Sequence, residues 1–484
     1  MKAKILNQAH PEYDEHELQQ WAALYDGGKA WHALARDFLP KNANEPSEIY
    51  ADRIGKATYE NLGGPLCDQV GAWLFSKPPE IDGIESREWL DNCNGCGVDF
   101  AAWWRQILSS ALVSRRAFAW VNLPARPEGV AFASLADEQA AGVTTPFLCE
   151  INPVTVRNWG RDAIGSFAWL LFRTTTTEQE DPTAGQKTVT RWTLIDGEQI
   201  RRWEWSPRGN ESINDQTEIS EVLPAIQHGL GRLPVVAIEL PCGLHAMGKL
   251  RDPLVGLTRT ANDHDWALHV SAHALLTITT AGGAAGAPTL GAGYYLALSR
   301  DGNGSDSVGH TEPGGASNAA RFERLKDQRD GVHRVVQQMA AAMSSDASAT
   351  AGKSGASKQA DWQSLEVMLS AYAAIVRVAM EQVLQLYAVA TGENAKAYAV
   401  QGLAGWHEAD LAAFVAAYEQ AAPSVKSETF RRAMAKRIAA KFLPDMAEKD
   451  MRAVQAEIDS ADYSDAPVYA PSPSPLDADD DAAE

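Results

Sequence analysis

Four stretches of the sequence carry residue types at spacings that could do chemistry. Cys93-x-x-Cys96 sets two thiols at a metal or redox spacing. Asp265, His269 and His273 recur every fourth residue, so they share one face of a helix as metal ligands would. Asp301, Asn303, Ser305 and Glu312 place oxygens at positions 1, 3, 5 and 12, as in a calcium-binding loop. Gly352-Lys353-Ser354 resembles the end of a phosphate-cradling loop.

Each falls short of what its chemistry needs. The CxxC has no second CxxC or HxxxH, and five cysteines, an odd number, argue against a disulfide framework. Partly buried thiols are expected instead. The ends of the Asp/His row are ~12 Å apart at the helical rise, too far for one ion. His269 and His273 alone could hold one with a third ligand from elsewhere, and a polar strip is the plainer reading. In the acidic loop Asp306 stands where glycine is required, and a strand precedes it rather than a helix. A turn-rich loop is expected there. Before Gly352-Lys353-Ser354, Ala347 occupies the position of the first glycine, and a helix stands where a strand should. No nucleophile, base and oxyanion donor pair up, and GxSxG, HExxH and GxGxxG after a strand are missing. A non-enzymatic protein without metal or cofactor is expected.

Composition narrows the partners. The 484 residues suffice for two to four domains. The formal charge is −20 and the pI about 5.0, so the chain repels a polyanion on average. Tight DNA binding is not expected, although a surface past which DNA slides is allowed. No apolar run is read as long enough to span a bilayer, and the N-terminus lacks the apolar core of a secretory signal. Synthesis is expected to end in the cytoplasm, without a membrane partner.

The positioning elements follow from periodicity. Helices are expected over residues 12–39, 50–75 (with a possible break at Gly63-Gly64-Pro65) and 98–116. Strand candidates are 118–123, 147–151, 166–173, 188–195, 199–205 and 233–240, short runs rich in β-branched and aromatic residues. No helix of useful length separates them, so the sheet should be mainly antiparallel. Many of the 15 tryptophans fall here and should pack the sheet and its helices. Asp252-Pro253 reads as the start of a helix running to about Thr279. Residues 281–317 are Gly-rich, with a short strand at 294–298. A helix follows over 318–343, with Phe322, Leu325, Val332, Val336, Met339 and Met343 on one apolar stripe. An Ala/Ser/Gly loop covers 344–358. Residues 359–391 hold no Gly or Pro and form a helix of ~50 Å. Helices at 406–419, 427–442 and 445–458 precede a Ser/Pro/Asp-rich tail, 463–484, expected to be disordered.

This order of elements resembles the portal proteins of tailed bacteriophages, and more closely a portal family long catalogued as a domain of unknown function. The resemblance rests on His10-Pro11-Glu12-Tyr13, Phe38-Leu39-Pro40-Lys41, Tyr50-x-x-Arg53, Ala57-x-Tyr59-x-Asn61 and Gly71-x-x-x-Phe75-x-Lys77-Pro78-Pro79. It continues through Arg232-Leu233-Pro234-Val235-Val236, Asp252-Pro253-Leu254 and Leu290-Gly291-x-Gly293, covering about residues 10–395. The family's Asn-rich stretch of the long helix is reduced to Ala261-Asn262.

The resemblance implies an α+β portal fold. Residues 1–250 would be a wing of helices and antiparallel sheet facing the major capsid protein, and 251–279 and 318–343 two stem helices. Residues 280–317 would be a clip that docks the packaging ATPase (the large terminase) and the head–tail adaptor. Residues 344–358 would be a tunnel loop, 359–395 a long kinked wing helix, 396–462 a helical crown and 463–484 the acidic tail. Portals form closed rings, usually dodecamers, at one capsid vertex of the virion, some with the help of a scaffold protein. They conduct double-stranded DNA during packaging and ejection. Lys353, Lys358, Arg321, Arg324, Lys326, Arg329 and Arg334 are the candidates for weak, sequence-blind contact with that DNA. An inter-subunit salt bridge is the other reading for each stem arginine. Two alternatives remain open: a head–tail scaffold or adaptor without a DNA channel, and a metal-dependent enzyme using His269 and His273.

Overall fold

The computed structural model describes residues 1–84, 86–124, 134, 137, 143, 145–179, 181–183, 185–207, 211–271, 275–280, 295–299, 307–311, 315–339, 355–394, 398–404, 427–443, 446 and 448–461. The chain is a mixed α+β protein of two compact units, Met1–Trp406 and His407–Glu484.

The first unit begins with α1 (Ala3–Leu6), α2 (Glu15–Asp26), α3 (Gly28–Ala33), α4 (Ala35–Phe38), α5 (Ser47–Gly55) and α6 (Gly63–Leu74). Asp14 caps α2 by accepting from the Glu17 amide at 3.0 Å. The single helix expected over 12–39 is three pieces. Gly27 and Gly28 have φ of 64° and 50°, a left-handed region that stops a helix while the apolar period runs on across the break. The expected 50–75 helix is likewise two, with Pro65 in the first turn of the second, where its missing N–H costs nothing. Strand β1 (Glu80–Asp82) leads to α7 (Arg87–Asp91) and α8 (Phe100–Ser114), which Asp99 caps through the Ala102 amide.

The sheet region holds β2 (Arg116–Asn122), β3 (Phe147–Ile151), β4 (Val156–Arg161), β5 (Phe167–Glu178), β6 (Lys187–Ile195), β7 (Gln199–Trp205), β8 (Ser220–Gln227) and β9 (Val235–Glu239). They form two antiparallel sheets, β3-β2-β9 and β4-β5-β6-β7-β8. Within these two sheets the sequence reading missed β4 and β8, the two edges of the larger sheet. Edge strands bury less and tolerate polar residues, bulges and proline; β4 reads VRNWGR and is bulged twice, and β8 contains Pro224.

Next come α9 (Ala246–Ser271), β10 (Leu275–Thr280), β11 (Tyr295–Ser299), β12 (Ser307–Thr311), α10 (Gly315–Met339), α11 (Gly355–Thr391) and β13 (Ala399–Gln401). The helix expected over 251–279 needs correction at both ends. It starts at Ala246 because Met247 and Leu250 are fully buried in the core, and Pro253 lies inside it. It stops at Ser271, and the β-branched run Thr277-Ile278-Thr279-Thr280 belongs to a strand. In the small insert β10 pairs with β11 in parallel and with β12 antiparallel. β13 pairs with β1, so residues 399–401 belong to the first unit and not to the region assigned to a crown from residue 396.

The main core joins α2, α3, α6, α8, the first half of α9 and α11. A second core fills the space between the two body sheets, and a third lies where α1 covers part of the larger sheet's outer face. Trp31, Trp104, Trp192 and Trp203 are fully buried in these cores, as packing residues. The stretch Glu366–Thr391 of α11 is long and apolar enough to cross a membrane by length and composition, contrary to the sequence reading. Unbroken apolar runs miss it because isolated charges such as Arg377 and Glu381 interrupt it. One face, with Leu369, Tyr372, Val376, Met380, Val383 and Leu384, packs into the main core, while Val367, Val378 and Val389 are exposed. In the second unit α12 (Glu428–Phe442), capped by Ser427, pairs with α13 (Glu448–Ser460) through Lys436 and Asp459 at 2.7 Å.

Candidate nucleic-acid interface

Helices α9 and α10 pack side by side. Gln328 lies against Gly256, and Arg321 donates to the Asp263 carbonyl at 3.3 Å, so the two helices run antiparallel. The first half of α9 is rooted in the core through Met247, Leu250, Leu254 and Leu257. Its polar side chains hold the root as firmly. The buried Asn262 amide accepts from the Thr58 amide at 2.9 Å and donates to the Thr58 and Thr258 carbonyls. Arg259 donates to the Phe38 carbonyl at 2.7 Å and Arg251 to the Gln20 side chain. Beyond Asn262 the helix emerges, and Asp263, Asp265, Leu268 and His269 are exposed.

Exposed cations run along α10. Between residues 321 and 334 five exposed cations, Arg321, Arg324, Lys326, Arg329 and Arg334, stand among three exposed carboxylates, Glu323, Asp327 and Asp330. This segment is net positive in a chain of charge −20. Arg329 is engaged within the subunit, with its Nε and a terminal nitrogen 3.0 and 2.8 Å from one oxygen of Glu60. Arg324 and Arg334 flank Asp327, each at 3.4 Å. Lys326 makes no hydrogen bond or ion pair with a described residue. These pairs are more than half exposed on the α10 side, so each is worth ~0–1 kcal/mol and yields to a competing anion. The expected stripe is only partly apolar: Val332 is buried and Leu325 half-buried, but Phe322 is 60% exposed. Lys358 lies in the first turn of α11. Of the loop expected over 344–358, residues 344–354 with Lys353 lie outside the described residues, and 355–358 form the start of α11 rather than loop.

The other chemistry-bearing stretches come apart. Cys93 is buried, and its thiol, donating to the Val98 carbonyl at 3.4 Å, is pushed up to about 12 by burial, so it stays protonated at neutral pH. Cys96 is exposed. His269 Nε2 is 3.1 Å from Lys56 Nζ, beside the Trp266 ring, and His273 lies outside the described residues. Among the described residues no three His, Cys, Asp or Glu side chains gather as a metal site. Residues 301–306 and Glu312 of the acidic loop, and Gly352-Lys353-Ser354, also lie outside the described residues.

The motifs that carried the family resemblance are joints. His10 stacks on Trp159 at 4.0 Å, Glu12 pairs with Arg116 at 2.5 Å, and the Tyr13 hydroxyl donates to the Val154 carbonyl at 2.6 Å. Arg53 and Glu45 are 5% and 8% exposed and form a two-pronged pair at 2.8 and 2.9 Å. The Arg53 hydrogen bonds hold the Glu45 carboxyl below the usual carboxylate range. Arg53 also donates to the Pro40 carbonyl, and Tyr50 to that of Leu39. Tyr59 and Asn61 donate to the Leu24 and Tyr25 carbonyls, and a Cβ at Gly64 would lie 2.6 Å from the Tyr25 oxygen. Sequence reasoning missed Asn262 as the key to this joint; its polarity on the apolar side of a long helix is the signal that could have found it. No protein-family model matches the chain, and no curated protein matches it.

Proposed function

We propose that this chain is the subunit of a phage-type portal: a non-enzymatic ring, usually of twelve copies, that conducts double-stranded DNA at one capsid vertex of the virion. The order and proportions of the elements carry the reading. A body of helices and antiparallel sheet is followed by an antiparallel pair of 26- and 25-residue helices with a small three-stranded sheet between them, then by a 37-residue helix that returns through the body core. The region from β10 to β12 would dock the packaging ATPase and later the head–tail adaptor. The body would face the capsid protein and any scaffold.

The electrostatics suit a conduit. Strong phosphate contacts would stall translocation, and an acidic chain avoids them. The half-neutralised cations of α10 offer weak, exchangeable contacts of the kind a sliding polyanion needs. In this reading Lys353 and Lys358 reach the channel. The double variant Lys353→Ala with Lys358→Ala should assemble normally but package or retain less DNA, read as encapsidated DNA per particle. Loss of assembly, or intact rings with unaltered DNA content, would oppose this placement.

A further inference from the structure

The outer face of the five-stranded sheet is only partly covered. Alternation along β5, β6 and β7 turns Trp169, Leu171, Trp192, Leu194, Arg201 and Trp203 outward. Helix α1 packs Ala3 and Leu6 onto Leu171, Trp192 and Trp203. Beside it a cavity of about 370 Å³ remains open, lined by Ile5, Leu6, Trp169, Leu194, Arg201 and Trp203 among others. Ile5 on its rim is 58% exposed. The volume lies in the range of sites that take a ligand, and an exposed apolar rim is unfavourable unless something covers it.

The polar groups say what that is. Among the described residues Arg201 has no carboxylate partner; its guanidinium lies over the Trp203 ring at 5.6 Å, and its Nε is shielded from solvent without an acceptor. At the same cavity one carboxylate oxygen of Asp196, Oδ1, accepts from the Glu198 and Gln199 amides and is tied to the β6–β7 turn. The site therefore offers apolar walls and one unspent cation, complementary to an apolar group with a carboxylate nearby. This face already takes a chain segment. The Ala3 amide donates to the Thr217 carbonyl at 2.9 Å and the Ile219 amide to the Met1 carbonyl at 2.8 Å, laying residues 1–6 across it.

We infer that this cavity is a docking site for an extended acidic segment of a partner protein, one that presents a leucine-sized side chain and a carboxylate two residues apart. That spacing puts both on one side of an extended chain. The leucine enters between Ile5, Trp169 and Leu194, and the carboxylate accepts from Arg201. The site lies outside the α9–α10 hairpin and is independent of the portal reading.

The test is fluorescence anisotropy on the full chain with a fluorescein-labelled peptide, Gly-Ser-Leu-Ser-Asp-Ser-Leu-Ser, against its counterpart with Lys in place of Asp. The acidic peptide should bind saturably with a Kd of ~1 mM or tighter. Arg201→Gln should weaken it about tenfold or more, with an unchanged melting curve, because the guanidinium has no structural ion pair to lose. Leu194→Ala should weaken both peptides, separating the apolar contribution from the charge. Equal binding of the lysine peptide, unchanged affinity in Arg201→Gln, or no saturation by ~1 mM would overturn the proposal.

Discussion

At its root the α9–α10 pair buries Met247, Leu250, Leu254 and Leu257 in the main core, with Asn262 bonded to both sides of Thr58. Farther along, Leu268 and Phe322 stand 41% and 60% exposed, and Asp263, Asp265, Arg321 and Glu323 around them are exposed as well. The root is tightly specified: the Asn262 side chain makes three hydrogen bonds, to both sides of Thr58 and to the Thr258 carbonyl. The outer end is under-determined, with apolar side chains uncovered and cations easily redirected. A structure invests fixed contacts where elements must meet and leaves loose ones where something else must bind. In the proposed ring, neighbouring copies would cover the apolar residues and DNA would meet the cations.

The contrast can be broken most severely at the root. Arg53→Ala leaves Glu45 buried without its partner and should lower unfolding stability by ~3 kcal/mol or more, read by urea denaturation. Gly64→Ala forces a methyl against the Tyr25 carbonyl and should cost ~1–3 kcal/mol by the same measurement. An equally large loss from Phe322→Ser would erase the distinction; that variant should leave the subunit's melting unchanged and reduce only its self-association.

Acid probes the same joint more gently. The Glu45 carboxyl is depressed in the folded state by Arg53, so its contribution is fully present above the ordinary value of 4.5 and is lost as pH falls through the lower folded value. Stability measured below pH 4.5 should drop, and Glu45→Gln, already weakened at neutral pH, should show a shallower fall. On the exposed surface of α10, Arg324→Ala, Lys326→Ala and Arg334→Ala should each change stability by no more than ~0.5 kcal/mol. Each cation that meets phosphate in the assembled protein should reduce the salt slope of DNA association by ~0.9 when removed.

How far the sequence could be read follows the same division. Strands with a buried face, such as Phe147–Ile151 and Gln199–Trp205, were legible to the residue because alternation reports burial. Strands β4 and β8 were not: two register irregularities in β4 and Pro224 in β8 interrupt the alternation, which the edge strand Phe147–Ile151 keeps. Helix ends failed where tertiary contact overrode local grammar: Asp252-Pro253 reads as a start, yet the burial of Met247 and Leu250 extends α9 back to Ala246. The candidate interface was legible only as a cluster of basic residues. Nothing in the sequence distinguishes Arg329, tied to Glu60 across 269 residues, from Lys326, which has no partner among the described residues.

The central claim is the ring, and negative-stain microscopy of the purified protein with its mass in solution tests it most directly. Rings with a central hole and a mass near twelve times 52.3 kDa, roughly 630 kDa, are the predicted result. Discs without a hole, or a 52.3 kDa monomer at every protein concentration with and without a scaffold protein, would contradict it.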